Sequence, residues 1–220
     1  MFITFLLVMF LATLVLFIIT SLEVERIGRH HYLQRADFFA AHPLKPGDIA
    51  FLGDSLTAGG NWDEVFPDLA VRNRGINADT TVGLLNRLDE VTRGQPAAIF
   101  ILIGTNDLPW FVYRHDEMIL GTYQEILEKI KHDSPATRVF VESILPRGRD
   151  CAKRIQRLNP KLKTLAEKHE CEFIDLYPSF ANKKGELRAE LNNDHLHLLA
   201  AGYVLWADAL RPYLQTLRGK

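Results

Sequence analysis

Charge is absent from the first twenty-two residues of the chain, MFITFLLVMFLATLVLFIITSL. A helix of about 20 such residues spans ~30 Å, roughly one hydrocarbon core. The segment also lacks a basic residue ahead of its apolar run, and TSLEVER offers no small-x-small cleavage site. A cleaved secretory signal needs both. Residues 1–21 are therefore expected to form an uncleaved single-pass membrane anchor. Arg26, Arg29 and Arg35 follow the span, and the positive-inside rule reads them as cytoplasmic. A secretion-type anchor instead puts the domain outside, and the extracytoplasmic placement is the one expected. An excess of either sign is missing too. With 26 basic and 27 acidic residues, no global field draws the chain to nucleic acid. Cysteine is scarce: Cys151 and Cys171 fit neither a zinc site nor a CxxC pair, and are expected to be free thiols rather than a bridge. No internal repeat, low-complexity tract or second linker divides the rest. The expected organisation is an anchor over 1–21, a polar helical connector over 22–46 ending near His42-Pro43, and one domain over 47–220.

Within that domain, short apolar runs alternate with amphipathic stretches. The runs are Ile49 to Leu52, Ala70 to Asn73, Ala97 to Ile103, Val139 to Leu145 and Phe173 to Leu176. AAIFILI is apolar at every position, the mark of a strand covered on both faces. Ile119, Tyr123, Ile126, Leu127 and Ile130 recur at helical spacing. So do Ile155, Leu158, Leu162 and Leu165, where Pro160 predicts a kink or a late start. Five strands alternating with helices predict a parallel sheet in a three-layer α/β/α sandwich, an α/β fold. Ligands in such folds bind beyond the carboxyl ends of the strands.

Those ends carry unusual residues. The first strand runs into Gly53-Asp54-Ser55, and a serine nucleophile needs a base and oxyanion donors. The second ends in Asn73-Arg74-Gly75, where a glycine lets backbone approach closely. The third ends in Gly104-Thr105-Asn106-Asp107, whose Asn amide is a neutral donor. Asp194 and His197 stand three apart before the last helix, close enough for the acid to orient the imidazole. Each has a plainer reading: Ser55 as a helix cap, Gly75 as a turn residue, Asn106 as a cap and His197 as a satisfied histidine. Their occurrence in order, each at a strand end or before the last helix, favours the chemical reading. GxSxG and GxxxxGK[ST] are absent, which sets aside a nucleophile elbow and a P-loop. A metal phosphoesterase built from Asp54, Asp107, Asp194 and His197 would leave Ser55 and Asn106 unexplained.

GDSLT (53–57), NRGINADTT (73–81), GTND (104–107) and DHLH (194–197) resemble the four blocks of the SGNH, or GDSL, hydrolases. PGDIAFLGDSLT, RNRGINADTT, RLDEV and FILIGTND are most similar to the branch of the platelet-activating-factor acetylhydrolase catalytic subunits. The resemblance implies a flavodoxin-like SGNH fold and a serine esterase working through an acyl-enzyme, with no cofactor and no metal. Ser55 would be the nucleophile, His197 the base and Asp194 its orienting acid. The Ser55 and Gly75 N–H groups and the Asn106 side chain would form the oxyanion hole. Ala78 and His195 depart from the pattern, because relatives often carry glycine at both places. Trp62, Trp110 and Phe111 follow the first and third strands and are expected to line the substrate cleft, although helix–loop packing would explain them equally. Arg147 and Arg149 are expected in a solvated loop. The resemblance favours a small-molecule ester with a short acyl group, acetyl above all, on a carbohydrate or lipid. The alternatives are a lysophospholipase or thioesterase for longer chains, and an inactive membrane-tethered binding module. Oligomeric state is left open.

Overall fold

Apolar residues on both faces of every central strand dictate the architecture. The structure, a computed structural model, describes residues 2–109, 112 and 114–217. These form a five-stranded, wholly parallel sheet from β1 (Ile49–Gly53), β2 (Val71–Gly75), β3 (Ala98–Leu102), β4 (Arg138–Glu142) and β5 (Glu172–Ile174), in the order β2-β1-β3-β4-β5. In β1 and β3 every residue is buried, as the unbroken apolar runs predict.

Alternate side chains feed two cores. Ala50, Leu52, Ile99, Ile101 and Val141 face α4 (Thr81–Asn86), α5 (Leu88–Thr92), α6 (Asp116–Asp133) and α7 (Arg149–Lys168). Ile49, Phe51, Phe100 and Phe140 face α3 (Trp62–Val65), α8 (Tyr177–Phe180) and α9 (Ala200–Gln215). The expected α/β/α sandwich is thus present. Between β1 and α3 lies the single turn α2 (Ser55–Ala58).

The late start offered at Pro160 is not taken: α7 begins at Arg149 and runs through Pro160. Just before it, Asn159 is pinned to the segment after β4: Nδ2 donates to Ile144 O and Oδ1 accepts from Ile144 N, both at 2.9 Å. α1 runs unbroken from Phe2 to Ala41, across the boundary at residue 21. Its apolar first half is exposed, as at Phe10 and Phe17 (63% and 69%). Burial begins at His31 and Tyr32 and recurs at Arg35, Ala36 and Phe39, one helical stripe. Phe39 is fully buried, with the guanidinium carbons of Arg35 and Arg74 4.6 and 4.7 Å from its ring centroid. The Tyr32 hydroxyl donates to Gly83 O at 3.1 Å.

Candidate active site

The carboxyl end of β1 is shaped by Asp54. Its Oδ1 accepts the Leu56 N–H at 2.9 Å, a side-chain cap that starts α2 and makes Ser55 the first helical residue. The Ser55 N–H has no acceptor among the described residues, since it is one of the donors a helix start leaves unpaired. Asp54 is fully buried, and burial, reinforced by the charges of Asp79 and Asp107, pushes its carboxyl up to about 7 against the Leu56 hydrogen bond.

Across the sheet, the segment between Leu191 and α9 brings in the other two groups. Ser55 Oγ lies 3.0 Å from His197 Nε2, and His197 Nδ1 lies 2.6 Å from Asp194 Oδ2. Pairing Nδ1–H with the carboxylate leaves Nε2 to accept the serine proton. Asp194 Oδ1 also accepts the backbone N–H groups of Leu196 (3.0 Å) and His197 (2.7 Å). Burial works to raise this carboxyl, but the His197 side chain and the two backbone donors outweigh it and hold it at about 2. It is therefore a carboxylate at any working pH. His195 sits at φ +66° with its N–H on Asn192 Oδ1 at 2.7 Å. That left-handed backbone is what the glycine of relatives would provide without strain. His195 points to a polar cleft of about 540 Å³ beside the triad, which Arg147, Arg149, Asp150 and Glu186 also line.

The second strand end differs from expectation. The Gly75 N–H is already committed to Asn73 Oδ1 at 2.9 Å. Asn73 Nδ2 in turn donates to the carbonyls of Thr57, Ala58 and Gly60. A Cβ at residue 75 would stand 2.2 Å from Ala58 N, so glycine is there for close backbone packing under α2. A backbone donor without a partner among the described residues lies three residues on. Ala78 is at φ +60°, and its N–H has no acceptor among the described residues. The cue in the sequence was the departure at Ala78, where relatives often have glycine: a left-handed position flagged as a variation rather than as a site.

Asn106 lies against the same turn. Its Nδ2 donates one hydrogen to Asp79 O at 2.9 Å, which leaves the second N–H of the amide to point away. Behind this turn, Arg87 bonds Asp79 Oδ2 (2.8 Å), Gly53 O (3.1 Å) and Arg74 O (2.9 Å). Asp107 accepts both the N–H and the hydroxyl of Thr81, and pairs with Arg114. Arg147 donates to Thr105 O at 3.0 Å, so it braces the third strand's end and is not a freely solvated loop residue. Residue types alone did not single out Arg87 or Asp79 as bracing groups, because the carbonyls of Gly53 and Arg74 that Arg87 also bonds come from two separate strand ends.

Trp62 does not line a cleft. It is 1% exposed, donates Nε1–H to Thr57 O at 2.8 Å and packs edge-on against Phe51 and Trp206. Trp110 and Phe111 lie outside the described residues. Both cysteines are free thiols, raised to about 11 by burial. Among the described residues, no three His, Cys, Asp or Glu side chains are grouped to hold a metal ion; Asp54 and Asp107 are buried at 0% exposure.

Against known proteins, the model of the GDSL-like lipase/acylhydrolase family matches residues 51–205. Platelet-activating factor acetylhydrolase IB subunit alpha1 of Pongo abelii is 29% identical over 206 residues, covering 89% of this chain and 87% of its own. A solved Streptococcus pneumonia structure, described as a candidate platelet activating factor, superposes with TM-score 0.80 at 26% identity, covering 89% of this chain and 98% of that one. A candidate acylhydrolase from Bacteroides fragilis gives TM-score 0.74 at 25% identity, over 84% and 97%.

Proposed function

The chain belongs to the GDSL-like lipase/acylhydrolase family and is an SGNH-type carboxylic ester hydrolase, and from that premise we propose that Ser55, His197 and Asp194 carry its chemistry. The supporting observation is the continuous chain from Ser55 Oγ through His197 to the Asp194 carboxylate, at 3.0 and 2.6 Å. His197 Nε2 takes the hydroxyl proton as Oγ adds to the ester carbonyl. The oxyanion so formed is held by the Ser55 N–H, the free N–H of the Asn106 amide and, in place of Gly75, the Ala78 N–H. The imidazolium then protonates the leaving alkoxide, and the alcohol departs. A water, deprotonated by the same Nε2, attacks the acyl-enzyme, and collapse of the second tetrahedral species releases the carboxylic acid and restores the Ser55 proton. Asp194 stays ionised throughout and holds the ring with Nε2 toward Ser55.

The substrate reading is a short acyl group, acetyl above all, on a carbohydrate or lipid. It is supported by likeness to proteins named as acetylhydrolases and by the polar lining beside the triad. Residues 1–21 act as a membrane anchor for the domain over 47–220, which lies on the extracytoplasmic side. The supporting feature is α1, the one helix among the described residues long and apolar enough to cross a bilayer, by length and composition. A fluorophosphonate probe on full-length protein in detergent tests the nucleophile. Covalent mass added at Ser55, and lost in Ser55→Ala, is expected; labelling of another residue, or none by folded protein, contradicts the assignment.

A further inference from the structure

The path of α1 along the domain fixes which edge of the sheet meets the membrane. The docked stripe starts at His31 and Tyr32, and the Tyr32 hydroxyl bonds Gly83 O. Gly83 lies in the first turn of α4, beside Thr81, which is clamped to Asp107 after β3. Tyr32 is therefore level with the carboxyl edge of the sheet, where Ser55 stands. Ten residues later His42 O accepts from Arg74 Nη2. Leu44 then packs against Gly94, which precedes β3 at the opposite edge. The helix thus runs from the catalytic edge toward the amino edge, antiparallel to β1. Extended backward, its apolar half projects beyond the catalytic edge and not behind it.

The free stretch between bilayer and dock has a definite length. Glu23 is the first charged residue, and Tyr32 is nine residues on in an unbroken helix, a rise of ~14 Å. A tilt of ~20° shortens this by only about 1 Å. The headgroup layer occupies about 5–8 Å of each leaflet beyond the hydrocarbon. The catalytic edge is accordingly held clear of the headgroups of simple phospholipids. The glycerol ester carbonyls, at the hydrocarbon boundary, fall short of it by most of the standoff. The cleft beside the triad is lined by charged and polar groups, Arg149, Asp150, Glu186 and His195 among them, which suit hydroxyl-rich ligands.

From these two observations we infer that α1 is a strut that turns the active site toward the membrane at a fixed height, and that the substrate is an O-acylated saccharide headgroup on a lipid of that same membrane. The inference rests on the esterase and anchor assignments above. The softest residue of the strut is Gly28, in an exposed helix interior with open space around its Cα.

The test uses full-length protein in phosphatidylcholine vesicles. A fluorescent amino acid replaces either Met118, exposed in the first turn of α6, or His132, exposed in its last turn. The two are ~21 Å apart along the helix axis. Energy transfer to headgroup-labelled lipid is expected to be stronger from position 118. Equal or stronger transfer from 132 overturns the orientation, and failure of the protein to float with vesicles removes the anchor and overturns it as well. The same vesicles then carry an O-acetylated glycolipid or a lysophosphatidylcholine. Acetate release from the glycolipid at ten times or more the rate of lysolipid cleavage is expected, and preference for the lysolipid overturns the substrate class. Gly28→Ala should keep the glycolipid rate, and Gly28→Pro should lower it several-fold with no change toward dissolved p-nitrophenyl acetate. An unchanged glycolipid rate in Gly28→Pro overturns the strut. Loss of p-nitrophenyl acetate cleavage by the folded parent would instead strike the esterase assignment, while energy transfer would still report orientation.

Discussion

Gly75 and Ala78 divide two tasks that residue type alone assigns to Gly75. Gly75 gives the space: its missing Cβ lets β2 pass under α2, and Asn73 holds its N–H. Ala78 keeps an N–H with no acceptor among the described residues, at a left-handed φ of +60°. Gly75→Ala is therefore expected to damage stability first, with a melting temperature lower by several degrees, since a Cβ 2.2 Å from Ala58 N cannot be accommodated without backbone movement. A variant of unchanged stability and lowered kcat would return Gly75 to the oxyanion hole. Asn106→Ala should lower kcat by roughly 10²–10³-fold, the usual loss of one oxyanion donor; a near-normal rate would take its amide out of the mechanism. Ser55, Asn106, Asp194 and His197 were legible as candidates because they occur in order, each at a strand end or before the last helix. The N–H of residue 78 was not, because its one cue, alanine at a place where relatives often carry glycine, marks a backbone conformation and not a donor. Trp62 misled for the converse reason: an aromatic after a strand fits a cleft or a core equally, and only packing against Phe51 and Trp206 decides.

At the level of elements, β4 carries a group the chemistry does not use. Glu142 is 2% exposed and accepts Trp206 Nε1–H from α9 at 2.6 Å. Burial raises its carboxyl to about 8, against that hydrogen bond. A folded-state pKa raised above the ordinary 4.5 contributes stability fully below pH 4.5, and this is lost as pH rises through about 8. Glu142→Gln, which keeps a carbonyl for Trp206, should thus match the parent at pH 4 and exceed it by a few kcal/mol at pH 9, because each tenfold change in proton affinity is worth ~1.4 kcal/mol. Urea unfolding at the two pH values checks this, and a variant less stable than the parent at pH 9 contradicts it. The strands themselves were plain in the sequence, because β1 and β3 are apolar at each position and buried at each. The course of α7 was not. Pro160 reads locally as a kink or a late start, and the Asn159 bonds to Ile144 that tie down the helix there join residues 15 apart.

On the scale of the whole molecule, the catalytic blocks all lie beyond Gly53 and the docked stripe of α1 begins at His31. Removing residues 1–21 is expected to leave soluble protein with parental kcat/KM on dissolved esters, measured after size-exclusion chromatography. Aggregation or loss of folding would mean that the apolar half of α1 supports the domain and does not merely anchor it. The sandwich was legible from alternation of strand and helix, whereas the continuity of α1 was not: the change from apolar to charged at Glu23 is a change of composition within one helix. The central claim, a serine esterase acting on short acyl groups, is tested most directly by hydrolysis of p-nitrophenyl esters from acetate to palmitate by the full-length protein in detergent, alongside Ser55→Ala. Rapid acetate or butyrate cleavage that falls with chain length and drops by ~10⁴-fold or more in the variant is the predicted result. Preference for palmitate, or activity that survives Ser55→Ala, would contradict it.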